Sequence, residues 1–225
     1  MEAEILQQWL SRGEKRTYGL DLVYLPERGI AFQLDPVPYP YDESYFQIYR
    51  ERAGTPVEEK LNQARWDLVS RHWNQEDVIL DVGIGNGSFL EKGLAEGKPV
   101  CGFDVNPVAQ KWLDEREMGL NAFGYGMPAT FGMITFWDTI EHVPNAREYL
   151  AACRDVVCIS LPVFDQLEGV EKSKHYKPNE HLYYFTPWGL IGWMAAHGFR
   201  LLEYNRNETT AGRENIGAFA FQRIK

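Results

Sequence analysis

The chain has 225 residues, of which 44% are hydrophobic, 24% charged and 14% aromatic; this describes one globular domain with a modest extension and excludes collagen-like, low-complexity and disordered readings. Its net charge of −9 has the wrong sign for a surface that grips extended nucleic acid. The three cysteines, at 101, 153 and 158, show no CxxC spacing and are too few for a disulfide framework, so a reducing, cytoplasmic setting without structural zinc is expected.

Met1-Glu2-Ala3-Glu4 is acidic where a secretory leader is basic and then apolar, and no apolar run reaches the length of a membrane span. Residues 17–25 and 29–34 are apolar-rich and flank Pro26-Glu27-Arg28-Gly29, the pattern of a β-hairpin. Pro36, Pro38 and Pro40 then exclude regular structure by fixing φ and removing donors. With Tyr39, Tyr41, Tyr45, Phe46 and Tyr49 this stretch reads as a folded-over lid. Residues 1–56 are therefore expected to be an N-terminal extension and 57–225 the main domain. A helix over 57–73 follows from Leu61, Ala64 and Leu68 at helical spacing.

From there strands alternate with helices. Strands are expected at 78–80, 100–105, 132–136 and 156–161, with helices at 88–95, from Pro107 towards 117, and from Asn145, where Glu148 three residues on suggests a capping box. Thr186-Pro187 opens a further helix that Gly198 closes, and strands 199–204 and 216–224 complete an antiparallel pair. The order implies an α/β fold with a mostly parallel sheet.

The chemistry-bearing stretch is Asp81-Val82-Gly83-Ile84-Gly85-Asn86-Gly87, between a strand and a helix. Glycines there let the backbone turn and approach a ligand closely. A dinucleotide turn, G-x-G-x-x-G, would need its third glycine at position 88, which is Ser88. Asp81, just before the turn, would repel a pyrophosphate and welcome a cationic amino acid portion. Asp104 ends the next strand, where a carboxylate can accept hydrogen bonds from both ribose hydroxyls. The ligand implied is a positively charged nucleoside.

These residues resemble the cofactor site of class I S-adenosylmethionine-dependent methyltransferases, in their ubiquinone-biosynthesis-like and general small-molecule branch. Two further segments are similar to that branch. Asp138-Thr139-Ile140-Glu141-His142-Val143 matches its D-x-x-E-H-V pattern, and Ile159-Ser160-Leu161-Pro162 with His181-Leu182-Tyr183-Tyr184-Phe185-Thr186 matches its fifth strand and H-L-x-x-F-T. The resemblance covers residues 57–224. It implies a Rossmann-like seven-stranded sheet with a reversed last strand and helices on both faces, S-adenosylmethionine as cofactor and S-adenosylhomocysteine as product. It further implies that Asp81 lies at the cofactor's amino acid end, that Gly83, Gly85, Asn86 and Gly87 form the close wall, that Asp104 and Val105 meet the ribose, and that Trp137 and Asp138 line the floor. The acid that often holds the adenine amino group has no counterpart between Glu117 and Asp138; Tyr125 or Met127 stand in its region.

The expected reaction is methyl transfer by in-line displacement to the oxygen, nitrogen or carbon of a small-molecule acceptor. His142, His175 and His181 are the candidate bases. Residues 161–225 carry seven acids and eight bases against 14 and nine in 1–77, and Lys172, Lys174 and Lys177 concentrate that charge, so an anionic acceptor is expected. No metal-ligand constellation appears in the sequence, so no metal is expected and the metal-dependent catechol type is disfavoured. The competing readings are a nicotinamide-dependent oxidoreductase, disfavoured by Ser88 and Asp81, and a catalytically silent cofactor-binding subunit.

Overall fold

The computed structural model describes residues 16–18, 22–34, 36–37, 39–120 and 131–225. Strands β2 (Leu22–Leu25) and β3 (Ile30–Gln33) form the expected hairpin, closed by a single 3-10 turn whose first residue is Pro26 and whose exit residue, Gly29, has φ +62°. Beyond that hairpin, β1 (Arg16–Tyr18) pairs with β2, and β8 (Tyr183–Phe185) pairs with β3 in the register Ile30 opposite Phe185. The result is a separate four-stranded antiparallel sheet.

The described part of the proline-rich stretch contains no helix or strand, as its prolines require. Helix α1 (Glu43–Arg50) follows, with the Asp42 carboxylate accepting the Tyr45 N–H at 3.1 Å. Helix α2 (Pro56–His72) starts with Thr55 as its cap and proline at its first position.

The main sheet holds β4 (Ile79–Val82), β5 (Val100–Phe103), β6 (Phe131–Trp137), β7 (Cys153–Pro162), β9 (Phe199–Asn205) and β10 (Ile216–Arg223), in the order β5-β4-β6-β7-β10-β9. Only β10 is reversed, antiparallel to both neighbours. Among the described residues the sheet has six strands where seven were expected. Outside β5, where a seventh would pair, the described residues contribute one isolated parallel bridge, Gly102 to Gly119.

Side chains along the strands alternate between two cores, as a period of two demands. Met133, Trp137, Val156, Cys158, Ala218 and Ala220 face α2, α3 (Ser88–Ala95) and α4 (Pro107–Asp114). Ile134, Phe136, Val157, Ile159, Phe219 and Phe221 face α5 (Ala146–Ala152), α6 (Pro187–Ala196) and the small sheet. A short helix, α7 (Asn207–Thr210), lies between β9 and β10. Asn145 precedes α5 without capping it through its side chain; its backbone carbonyl accepts the Glu148 N–H instead. The hairpin turn meets the start of α6 at a backbone contact. Thr186 N–H donates to the Gly29 carbonyl at 2.9 Å, and a Cβ on Gly189 would stand 2.0 Å from that oxygen.

Candidate active site

The carboxyl ends of β4, β5, β6 and β7 open into a cleft of about 810 Å³, the place where an open parallel sheet offers its loops to a ligand. On one side runs the glycine turn. Gly83 has φ +74°, and a Cβ there would collide with Thr139; Gly85 has φ +57°, and no atom lies within 4 Å of where its Cβ would be. That open space beside bare backbone is a cradle for a close-lying ligand. Gly87, also left-handed, packs against Trp112 and begins α3.

Asp104 stands across from the turn. One of its oxygens accepts the Asn106 N–H at 2.8 Å. Burial pushes its carboxyl up to about 6, against backbone N–H groups of Asn106, Ile84 and Gly85 that favour the charged form. Val105 beside it lines the cleft and is 66% exposed. Asp81 is fully buried beneath the turn, taking the Thr135 hydroxyl at 2.6 Å. Burial pushes it up to about 7 despite that bond and the Arg65 charge. A cationic group beside either carboxyl would favour its ionised form against this burial.

Asn86 lines the cleft, but its side chain turns towards the lid. Its Nδ2 donates to the Tyr49 carbonyl and to Glu58, and its Oδ1 accepts the Ser88 N–H. Arg50 on α1 donates to the Asn86 carbonyl at 2.6 Å, and Asn106 Nδ2 donates to the Asp42 carbonyl at 2.8 Å. Helix α1 is therefore bonded to both walls of the cleft.

Trp137 forms the floor, buried, with its indole N–H unpartnered among the described residues and Arg65 5.2 Å above its ring. Asp138, at φ +54°, is gripped by Arg213 at 2.7 and 2.8 Å and by Arg65 at 3.0 Å. Glu208 on α7, itself buried, joins the same two arginines. Asp138 stays ionised, its carboxyl held down by the arginines against the opposing effect of burial.

At another part of the cleft His142 and His181 meet edge to face, ring centroids 4.6 Å apart, beside Glu141. The Nδ1 of His142 lies 2.8 Å from the Glu180 carbonyl, which can only accept; the proton is therefore on Nδ1, and Nε2 carries a lone pair. Burial holds His142 below its ordinary range and His181 down at about 3, so both rings are neutral near pH 7. Burial pushes Glu141 well up, and neither of its oxygens has a hydrogen-bond partner among the described residues. One atom from each of these three side chains lies within 4.8 Å of the other two, a metal-ligating geometry. Spacing alone did not bring this cluster together. Tyr41, Tyr45 and Tyr49 close this end, with the Tyr41 hydroxyl 3.2 Å from His142 Nδ1.

His175 does not join that group. It sits at the cleft rim, its Nε2 donating to the Glu214 carbonyl at 3.0 Å. The lysines divide similarly: Lys174 pairs with Glu214, Lys177 with Glu180, and only Lys177 lines the cleft. Tyr125 and Met127 lie outside the described residues. Sequence reasoning overlooked Arg65, Arg213, Glu208 and the part played by Glu141. A signal existed for Arg65, a charge at position 65 on the α2 face that carries Leu61 and Leu68.

Comparison with known proteins agrees with this architecture. A family model described as a methyltransferase domain matches residues 49–204. The ubiquinone biosynthesis O-methyltransferase of Chromobacterium violaceum is 28% identical over 110 residues, 44% of this chain and 47% of that protein. The protein of the same name from Photobacterium profundum is 29% identical over 141 residues, 56% and 52% of the two chains. The chain thus spans about half the length of these curated relatives. Among solved structures, the fold is shared with the Burkholderia thailandensis 1,6-didemethyltoxoflavin-N1-methyltransferase bound to 1,6-didemethyltoxoflavin and S-adenosylhomocysteine, at a TM-score of 0.55, 17% identity and coverage of 94% and 100%. It is shared also with the magnesium protoporphyrin IX methyltransferase of Synechocystis PCC 6803, at a TM-score of 0.56, 13% identity and coverage of 81% and 96%.

Proposed function

The chain belongs to the family of methyltransferase domains, and from that membership we propose that it is an S-adenosylmethionine-dependent methyltransferase acting on a small molecule. The observation that carries the reading is the pair Gly85 and Asp104: bare left-handed backbone facing open space, opposite a half-buried carboxylate at the end of β5. The residues fit the cofactor the family implies. Asp104 would take the ribose hydroxyls, the turn from Gly83 to Gly87 would lie along the nucleoside, and Asp81 with the Arg65 and Asp138 group would meet the amino acid portion. When bound, that cofactor supplies a methyl group on a positively charged sulfur.

This chain's own residues provide alignment and a dry chamber. Trp137 and Phe89 wall the floor, and Tyr41, Tyr45 and Tyr49 with α1 cover the opening. The group of Glu141, His142 and His181 faces the acceptor, and its neutral imidazoles are suited to an acceptor that must shed a proton. The relatives named O-methyltransferases support an oxygen acceptor. Lys177, at the rim of the cleft, supports an acceptor with an anionic group; Lys172 and Lys174 lend that reading nothing. Residues 1–56 serve as the extension that closes the acceptor side, and the three buried free thiols support work in the reducing cytoplasm. Among the described residues no helix is long and apolar enough to cross a membrane.

Calorimetric titration with S-adenosylhomocysteine tests the assignment, followed by a radiolabelled-methyl screen over small-molecule acceptors. Saturable binding of S-adenosylhomocysteine without binding of NAD is the expected result. The reverse would establish the oxidoreductase reading, and binding without turnover on any acceptor the silent subunit.

A further inference from the structure

We infer that Glu208, on the connection between β9 and β10, is a positioning residue for the cofactor's amino acid end: it fixes the Arg65 guanidinium so that one edge is left for the ligand. The inference rests on the methyl-transfer reading and adds to it a residue from the far end of the chain.

The connection lies on the surface with one exception. From Arg206 to Asn215 every residue is exposed or half-buried except Glu208, which is 1% exposed. Its neighbours on α7, Asn207, Thr209 and Thr210, all face solvent, so this short helix sends a single side chain inward and that side chain is a carboxylate. The backbone is shaped around it. The Glu208 carbonyl accepts the N–H of Ala211 at 3.0 Å and that of Arg213 at 3.2 Å, a turn that brings Arg213 back onto the same carboxylate. A buried ionic group is no better for stability than apolar side chains of the same volume. What Glu208 does instead is shown by its partners.

The Arg65 Nε donates to Glu208 Oε1 at 2.9 Å, and Nη2 donates to Asp138 Oδ2 at 3.0 Å and, at 3.5 Å, to Glu208 Oε2. Nη1 makes no hydrogen bond among the described residues, while Arg65 lines the cleft with its guanidinium carbon 5.2 Å from the centre of the Trp137 ring. A planar group attached along one edge at two atoms keeps its direction. Without Glu208 it would be tied through Nη2 alone and could pivot on Asp138 Oδ2. Arg213 completes the frame, donating to both oxygens of Asp138 at 2.7 and 2.8 Å and to Glu208 Oε2 at 2.5 Å, so neither acid can follow a moving Arg65. The donors left on Nη1 match a carboxylate, the group that the amino acid portion of the cofactor carries.

The test compares S-adenosylhomocysteine with 5′-methylthioadenosine, which keeps the adenine, the ribose and the thioether but lacks the amino acid portion. Both are titrated by calorimetry into the full chain, wild type and Glu208→Gln, and the ratio of their dissociation constants is the readout. A merely structural role would weaken the two ligands alike and leave that ratio unmoved. Glu208→Gln keeps the volume of the side chain but puts an amide NH2 where an arginine donates. Wild type should prefer S-adenosylhomocysteine, and the variant should lose on the order of tenfold of that preference with 5′-methylthioadenosine affinity within about twofold of wild type. In an Arg65→Gln background Glu208→Gln should change the ratio no further, because it acts through Arg65. If Glu208→Gln does not fold, Glu208→Asp, which keeps the charge and shortens the reach, replaces it with the same expectation. An unchanged ratio overturns the proposal, as does a loss that adds in full to that of Arg65→Gln. A wild type that binds both compounds equally well overturns it too, while leaving the methyl-transfer reading in place. Binding of neither compound removes that reading, and this role with it.

Discussion

Asp81 and Asp104 hold their protons to about pH 7 and about pH 6 because folding buries them, and that sets a sign. Between the carboxylate's ordinary value near 4 and those raised values the folded state binds more protons than the unfolded one, so this contribution to stability falls as pH rises through the window and is flat above it. For Asp81 the loss amounts to several kcal/mol at about 1.4 kcal/mol per pKa unit. His181, held down at about 3, runs the other way, its contribution being lost as pH falls below the ordinary histidine value. The two trends overlap, so the difference between variant and wild type isolates Asp81. Asp81→Asn keeps an acceptor for the Thr135 hydroxyl; urea unfolding should show it more stable than wild type at pH 8, with the difference shrinking towards pH 4. A cationic ligand favours the ionised carboxylates, so wild-type affinity for S-adenosylmethionine, measured by calorimetry, should rise from about pH 5 to pH 8. Asp104→Ala should weaken S-adenosylhomocysteine by roughly 1–3 kcal/mol as its charge-assisted hydrogen bonds are lost. Affinity equal to wild type would move the ribose site elsewhere.

Among the elements, the helix starts were legible because their signals are local. Asn106-Pro107 and Thr186-Pro187 each place a capping oxygen and a proline where the structure finds them. The glycine turn and Asp104 were legible for the same reason, each lying within a few residues of a strand end. What eluded the sequence is pairing across distance. Nothing near Tyr183 announces that it will pair with β3, some 150 residues earlier, and nothing near Glu141 announces His181. Such contacts follow from how elements pack, which a periodic pattern does not encode. Helix α1 illustrates the consequence, since its role depends on Arg50 reaching the Asn86 carbonyl. Arg50→Ala should speed dissociation of S-adenosylhomocysteine in stopped-flow measurements and raise hydrogen exchange over residues 43–50, with little change in thermal midpoint. Where α6 starts against the hairpin turn, Gly189→Ala would drive a methyl into the Gly29 carbonyl. A loss of about 1–3 kcal/mol is expected by urea denaturation.

At the scale of the whole molecule, the Arg65, Asp138, Glu208 and Arg213 network ties α2, the end of β6 and the connection from β9 to β10 to one point at the cleft. Removing one member of a buried ionic group leaves the others uncompensated. Arg213→Ala should therefore cost about 3 kcal/mol of stability and weaken cofactor binding together with it; loss of affinity at unchanged stability would show that Arg213 touches the ligand directly. The net charge of −9 gains a structural meaning as well. Asp81, Asp104, Asp138 and Glu141 are buried or half-buried carboxyls facing the cleft, whereas Glu96, Asp114, Glu115 and Glu117 lie on the exposed surface.

The reversed strand has a bearing on how the protein is made. β10 comes after every other element in chain order, yet it lies between β7 and β9 and supplies all the contact that holds β9 in the sheet. During synthesis the strands β4 to β7 can pair as they emerge, but Phe219 and Phe221, which complete one core, arrive last. Until they do, the free edge of β7 is open to any other chain nearby. The interval between the emergence of β7 and that of β10 is the period in which a nascent copy is most exposed to misassembly, and slower translation of the intervening residues prolongs it.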